Sequence, residues 1–241
     1  MKARTPAIIA TVVAVGILAA AAYLMMTDTE HPLSATPSSD FYPVSGIDIS
    51  AHNGDSIDFE SAIADRDLKF VIIKATEGTS FKDRNFHRNV DRARRAGLLV
   101  GAYHFFRFDS PGYMQGLNLL NTVRGRDLDL PIVIDIEEWT NPREYSTEAI
   151  VSNLRRLINY LERHGYRVML YTNKDGYDRF IRGHLDSYPL WICTFSNPPA
   201  DIDWTLWQYS HRGNVNGVPS KVDLNVFNGS RRQWEEWLRA Q

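Results

Sequence analysis

Residues 130–139, Leu130-Pro131-Ile132-Val133-Ile134-Asp135-Ile136-Glu137-Glu138-Trp139, constrain this chain more than any other stretch. An apolar, mostly β-branched run of this length reads as a strand buried on both faces, as in a parallel sheet. Side chains on a strand alternate, so Asp135 and Glu137 point to one side, about 7 Å apart at a rise of ~3.3 Å per residue. The carboxyl end of a buried parallel strand is where β/α folds assemble their sites. Two carboxylates there suit acid chemistry, one holding the other protonated by its charge. The competing reading is that they cap helices or pair with arginines.

The remaining composition narrows the class of partner. With 241 residues, 44% of them hydrophobic, the chain is long enough for one large folded domain. A net charge of −2 gives no general affinity for polyanions, so nucleic acid is not expected as a partner. Cys193 is the single cysteine and the seven histidines lack a metal-ligand spacing, so neither a disulfide, a metal nor another cofactor is expected.

At the N-terminus, Lys2 and Arg4 precede an uncharged apolar stretch at residues 7–26. That is the length of a bilayer-spanning helix, about 20 residues. The flanking charges favour a cytoplasmic N-terminus with the rest exported. Residues 1–26 are therefore expected to be a transmembrane signal anchor. Cleavage near Ala19-Ala20-Ala21-Ala22, which would release a secreted protein, is the alternative. No cysteine lies nearby to carry a lipid. Residues 27–43 are rich in Ser, Thr and Pro and read as a flexible tether, with the folded domain at 44–241.

Within that domain the hydrophobic period switches repeatedly between two and 3.6. Strands are expected at residues 46–50, 70–76, 98–106, 130–139 and 167–172, each followed by a helical pattern. The clearest helix is 146–164, where Ile150, Leu154, Leu157, Ile158 and Leu161 form one stripe and Gly165 ends it. Strands at 190–195, 205–210 and 223–227 then follow with only loops between them, and a last helix carries Trp234, Trp237 and Leu238. Five β/α units and three further strands predict an α/β fold, an irregular eight-stranded TIM-like barrel in a single domain. A doubly wound open sheet is the runner-up, but no glycine-rich phosphate loop opens any helix.

In such a barrel the carboxyl ends of the strands converge on one face. The polar residues expected there are Asp48, Lys74 with Glu77, Tyr103 with His104, Asp135 with Glu137, Tyr171, Gln208 with Tyr209, and Asp223. Carboxylates accompanied by tyrosines and tryptophans suit a carbohydrate, whose rings stack on aromatic faces and whose hydroxyls pair with carboxylates and amides. Glycoside hydrolysis needs one carboxylic acid for the leaving oxygen and a second group facing the developing oxocarbenium charge. Tyr103 and Trp207 are aromatic candidates for the sugar or for the core, and Lys74 and Glu77 for the ligand or for each other. His104 reads as a satisfied, partly buried histidine. Glu138 and Trp139 are assigned no chemistry, and Arg92, Arg94 and Arg95 form a solvated helix face.

Ordered blocks across residues 46–229 resemble glycoside hydrolase family 25, the lysozymes also called Chalaropsis-type muramidases. They run Gly46-Ile47-Asp48-Ile49-Ser50, Phe70-Val71-Ile72-Ile73-Lys74-Ala75-Thr76-Glu77-Gly78-Thr79, Gly101-Ala102-Tyr103-His104-Phe105, Asp135-Ile136-Glu137 and Tyr171-Thr172. Pro189-Leu190-Trp191-Ile192, Leu206-Trp207-Gln208-Tyr209-Ser210 and Val222-Asp223-Leu224-Asn225-Val226-Phe227 complete the set. The chain departs from the family's habit at Asn53, where Gln is common, and in strand six at Cys193-Thr194-Phe195, which bears on fine specificity.

The resemblance implies a flattened barrel and cleavage of the β-1,4 bond between N-acetylmuramic acid and N-acetylglucosamine in peptidoglycan. It maps the catalytic glutamate, a general acid, to Glu137 and its companion aspartates to Asp48, Asp135 and Asp223. Asp135 is expected either to hold the substrate's 2-acetamido group as an internal nucleophile or to help activate water. Tyr103, Lys74, Glu77, Tyr171, Trp207 and Gln208 are the expected substrate-binding residues. The expected partners are peptidoglycan strands and, through the N-terminal segment, a membrane, with a monomeric catalytic domain in the periplasm or outside the cell. No cell-wall-binding repeat is expected to follow the barrel, and localisation is expected to fall to the tether. A non-catalytic peptidoglycan-binding barrel and a hydrolase of another N-acetylhexosamine polymer are the alternatives.

Overall fold

In the computed structural model, residues 36–240 are described. The expected membrane segment at residues 7–26 and the tether as far as residue 35 lie outside the described residues. Among the described residues no helix is long and apolar enough to cross a membrane.

Among the described residues nine strands form: β1 (Ser45–Ile49), β2 (Leu68–Glu77), β3 (Phe81–Lys82), β4 (Leu99–Phe105), β5 (Ile132–Asp135), β6 (Val168–Asn173), β7 (Leu190–Cys193), β8 (Leu206–Gly213) and β9 (Val222–Phe227). Their order is β1-β9-β8-β7-β6-β5-β4-β2-β3, and β2 pairs back with β1. Eight strands thus close a ring as the sequence pattern implied. The ninth, β3, is a two-residue hairpin partner of Thr76 and Glu77, turned at Gly78 with φ +54°. The wall is parallel from β1 through β2, β4, β5, β6 and β7 to β8.

The last strand departs from the parallel expectation, because β9 runs antiparallel to both β8 and β1. The physical reason is connection length. A parallel return needs a crossover of about a dozen residues or more, whereas antiparallel neighbours can share a short loop. Residues 194–205 are long enough to carry β7 over to a parallel β8; residues 214–221 are not, and β9 folds straight back. Asp223 therefore reaches the upper face from the first turn of its strand, not from a carboxyl end as expected.

Helices α1 (Phe59–Arg66), α2 (Phe86–Arg95), α3 (Gly112–Val123) and α4 (Thr147–Arg163) cover the outer wall. In α4, Ser146 caps the first turn by accepting from Ala149 N at 3.2 Å. Ile150, Leu154, Leu157, Ile158 and Leu161 are buried in the layer that also holds Ile132, Ile134 and Leu170. Each contributes about 1.5–3 kcal/mol of transfer free energy. After β6 comes a single turn, Lys174–Gly176, and a π-helical turn, Tyr177–Ile181.

The lower half of the barrel interior is apolar and plugged. Phe70, Ile72, Val133, Met169, Trp191 and Phe227 fill it, and the final helix α5 (Arg231–Arg239) closes the bottom with Trp234, 5.3 Å from the Phe70 ring and 5.0 Å from Phe227. Gly46 makes room for this plug, since a Cβ there would lie 2.5 Å from the Phe70 ring. The outer wall at β7 and β8 lacks a helix. Leu190, Ile192, Trp207 and Val226 are covered there by Trp204 and by Tyr42, at the described end of the tether. With its lower half solid, the barrel offers a ligand only its upper mouth.

Candidate active site

The register of β1 and β9 sets Asp48 directly opposite Asp223. Asp48 is buried, and its Oδ2 accepts from Gln208 Nε2 at 2.9 Å and from Asn225 Nδ2 at 2.8 Å. Both amides are oriented by groups behind them. Tyr171 donates its hydroxyl to Gln208 Oε1 at 2.9 Å, and Trp191 donates its indole N–H to Asn225 Oδ1 at 2.9 Å. Two donated hydrogen bonds favour the charged form of Asp48. Burial opposes them and lifts it to about 6. Asp223 is pushed further, to about 9, by burial first and then by the charge of Asp48 and the hydrogen bond between the two. Two buried carboxyls this close favour sharing one proton, and Asp48, which receives the two amide donors, is the better placed to carry the charge.

Across the barrel, β5 ends at Asp135 and the chain turns outward through Glu137. Burial raises the Asp135 carboxyl well above its ordinary range, and the charge of Glu137 adds to the effect. Its Oδ1 is buried without a hydrogen-bond partner among the described residues. Glu137 keeps an edge to solvent, while desolvation and the charge of Asp48 lift its carboxyl to about 7, against hydrogen bonding from Trp139. A carboxyl group poised there carries a transferable proton at neutral pH.

The turn bearing Glu137 is braced from three sides. Asn141 donates to the Glu137 carbonyl at 2.8 Å, Arg107 donates to the Thr140 carbonyl at 2.7 Å, and Arg179 pairs with Glu138. Thr140 has φ +61°, an unusual conformation for a β-branched residue.

The other expected site residues divide by location. Tyr103 stands among the carboxylates, and the charges of Asp48, Asp135 and Asp223 add to burial in holding its hydroxyl protonated. Tyr171 and Gln208 reach the interior but spend their polar groups on Asp48 and each other. Lys74 and Glu77 pair at 2.8 Å on the rim, and the ammonium lies 5.3 Å from the Phe105 ring centroid and 5.4 Å from that of Phe81. Trp207 is not brought to this cluster. It follows Leu206 and precedes Gln208, both interior, so strand alternation turns it outward. There it packs against Tyr42 and Trp204 and donates to the Thr194 carbonyl at 2.8 Å.

His104 was expected to be partly buried and is fully buried, because its side chain points into the layer beneath α3. Gln115 Nε2 donates to the carbonyls of Arg107 and Ser110, so Gln115 Oε1 must be the acceptor for His104 Nε2 at 3.0 Å. Nδ1 then accepts from Thr76 Oγ1 at 2.8 Å. Desolvation pushes this ring down to about 4, so it stays neutral.

Two residues that side-chain type alone does not single out also belong to the site: Asn225, which donates to Asp48, and Trp139, 50% exposed and hydrogen-bonded to Glu137. Within the strand, the two-residue spacing of Asn225 from Asp223 places both on one face. Among the described residues, no group of three or more His, Cys, Asp or Glu side chains is arranged to hold a metal ion.

Comparison with known proteins agrees with this geometry. The family model described as Glycosyl hydrolases family 25 matches residues 47–218. The chain is 34% identical over 196 residues to the uncharacterized protein YegX of Escherichia coli O6:H1, across 78% of this chain and 71% of that one. It is 35% identical over 205 residues to Lysozyme M1 of Streptomyces globisporus, across 78% of this chain and 68% of that one. A solved family 25 glycosyl hydrolase from Bacillus anthracis superposes with a TM-score of 0.75 at 33% identity, across 86% of this chain and 98% of that one. A closed barrel with a plugged base, four carboxylates at its mouth and a family match over most of its length lead to one statement: this chain belongs to the glycosyl hydrolases of family 25.

Proposed function

We propose that this chain is a lysozyme-type muramidase, hydrolysing the β-1,4 bond between N-acetylmuramic acid and N-acetylglucosamine in peptidoglycan with Glu137 as general acid. The observation that carries this reading is Glu137 itself, open to the mouth and lifted to about 7, so that it can protonate the leaving oxygen near neutral pH. The name of the relative Lysozyme M1 supports the same substrate. Asp48 supplies negative charge toward the developing oxocarbenium ion, and Asp223 keeps the shared proton.

Asp135 offers a hydrogen-bond acceptor, its buried and unpartnered Oδ1, for the N–H of the substrate's 2-acetamido group. That arrangement favours the substrate-assisted route, in which the acetamido oxygen attacks the anomeric carbon and water later opens the cyclic intermediate. Direct attack by water is the other route. The two differ in stereochemistry, with retention for the first and inversion for the second. Digestion of purified peptidoglycan, with mass spectrometry of the reducing ends and NMR of the first-formed anomer, tests both levels. Reducing ends that carry the lactyl group are expected, and binding to walls without release of fragments would sink the assignment.

We further propose that residues 7–26 anchor the protein in a membrane, that residues 27–43 tether it, and that the catalytic domain, 44–241, works in the periplasm or outside the cell. This reading rests on the run of apolar residues behind Lys2 and Arg4. The intact mass of the mature protein decides it: the full chain supports an anchor, and a chain shortened near Ala22 indicates secretion.

A further inference from the structure

We propose that Asn141, assisted by Arg107, is a positioning residue for the acid, locking the Glu137 turn onto the loop between β4 and α3. The inference rests on Glu137 being the general acid. Asn141 is buried and uses every polar atom across two loops. Its Nδ2 donates to the Glu137 carbonyl at 2.8 Å and to the Phe106 carbonyl at 3.0 Å, while its Oδ1 accepts from Phe108 N at 2.9 Å. Arg107, between those two phenylalanines, donates to the Thr140 carbonyl at 2.7 Å.

The receiving loop is itself cross-linked by hydrogen bonds. Gln115 accepts from Arg107 N at 2.9 Å and donates to the Arg107 and Ser110 carbonyls at 2.8 Å each, and it is backed by His104 and Thr76. Glu137 lies beyond the end of β5. The pairing with β6 ends at Ile136, whose N–H donates to the Tyr171 carbonyl at 2.9 Å and whose carbonyl accepts from Thr172 Oγ1 at 2.7 Å. Among the described residues the Glu137 carbonyl has no strand partner. The amide of Asn141 takes that place. A general acid must be held within a fraction of an ångström of the leaving oxygen, and a misplacement of about 1 Å can cost about 100-fold in rate.

The clamp also sets the surroundings of the carboxyl group. Trp139 hydrogen-bonds that carboxyl, and the titratable groups coupled to it by charge are Asp48 from β1, Asp135 from β5, Tyr171 from β6, Cys193 from β7 and Asp223 from β9. Loosening the turn admits water to Glu137 and lets its proton leave at lower pH.

The test is Asn141→Ala, with kcat and KM measured on solubilised peptidoglycan strands across pH and Tm measured alongside. Expected are a fall in kcat of about 10- to 100-fold, an unchanged KM, and an alkaline limb of the kcat profile moved to lower pH. Asn153→Ala is the comparator, because Asn153 braces the far end of the same loop through Gly112 N at 2.7 Å and the Ser110 carbonyl at 2.7 Å. It should lower Tm without moving the limb. An Asn141→Ala enzyme that loses Tm but keeps the wild-type kcat and limb overturns the clamp. If Asn141→Ala fails to fold, Arg107→Met carries the same readout, and an unmoved limb there overturns it equally. Glu137→Gln separates the two levels: activity retained in that variant overturns the acid reading and the clamp with it, whereas an inactive Glu137→Gln beside an unshifted Asn141→Ala overturns the clamp alone.

Discussion

Trp191 donates its indole N–H to Asn225 Oδ1 at 2.9 Å, and that single contact decides which way Asn225 faces Asp48. An indole nitrogen can only donate. The oxygen of Asn225 must therefore face Trp191, and its amino group is left for Asp48 Oδ2 at 2.8 Å. Tyr171 donates to Gln208 Oε1 and Gln208 Nε2 faces Asp48, although a hydroxyl, which can donate or accept, does not by itself force that orientation. A packing indole thereby determines that Asp48 receives at least one amide donor, the condition that favours the charged form of a buried carboxylate.

Removing one donor should make that dependence visible. Asn225→Leu leaves Asp48 with one side-chain amide fewer and the Trp191 N–H without a partner. A hydrogen bond to a charged group is worth about 1.5–3 kcal/mol. We expect kcat/KM to fall about 10- to 100-fold, with the acid limb of the profile rising above the wild-type position near 6 set by Asp48. An unchanged acid limb would count against Asp48 acting as an anion.

Glu137→Gln should reduce kcat by about 10²- to 10⁴-fold, the usual contribution of a positioned acid. Because Glu137 retains solvent contact and sits amid like charges, Tm should hold or rise slightly. A large fall in Tm would show that the loss of activity reports unfolding and not chemistry.

The alkaline limb of kcat/KM should lie near 7, where Glu137 gives up its proton. Activity then declines as pH rises through that value, since the general acid must be protonated. An active enzyme with a flat profile to pH 9 would place the acid elsewhere.

Stability should fall with rising pH for the same structural reason. Asp223, lifted to about 9 in the folded state, binds a proton that the unfolded chain releases near pH 4. Its stabilising effect is complete below the unfolded value and is lost as pH climbs toward the folded one. Asp223→Asn removes the titration, so its Tm should gain on that of the wild type between pH 6 and 9, by about 2–4 °C per kcal/mol. Thermal melts of both proteins across that range check the sign.

Gly46→Ala should be costly although the site is untouched. The added Cβ would meet the Phe70 ring at 2.5 Å inside the plugged base. Overpacking of this kind costs about 1–3 kcal/mol. The double variant Gly46→Ala with Phe70→Leu should recover part of the lost Tm, and no recovery would place the strain elsewhere.

The sequence by itself determined the local order of strands and helices along the chain. Periodicity and alternation act between near neighbours: residues 146–164 contain one helix for that reason, whereas the strand expected over 130–139 stops at Asp135 and Glu137 leaves it. Alternation also held the answer for Trp207, which cannot share the interior with the adjacent Gln208. Only tertiary structure decided what Asp48 meets. Asn225 is 177 residues away along the chain, and it arrives only because β9 turns back antiparallel and closes the ring against β1. Charge state followed from that closure. A carboxylate's proton affinity depends on desolvation and on neighbours within a few ångströms, and neither exists until distant strands have packed. The same holds for Asn141, whose three hydrogen bonds join two loops that no local pattern brings together.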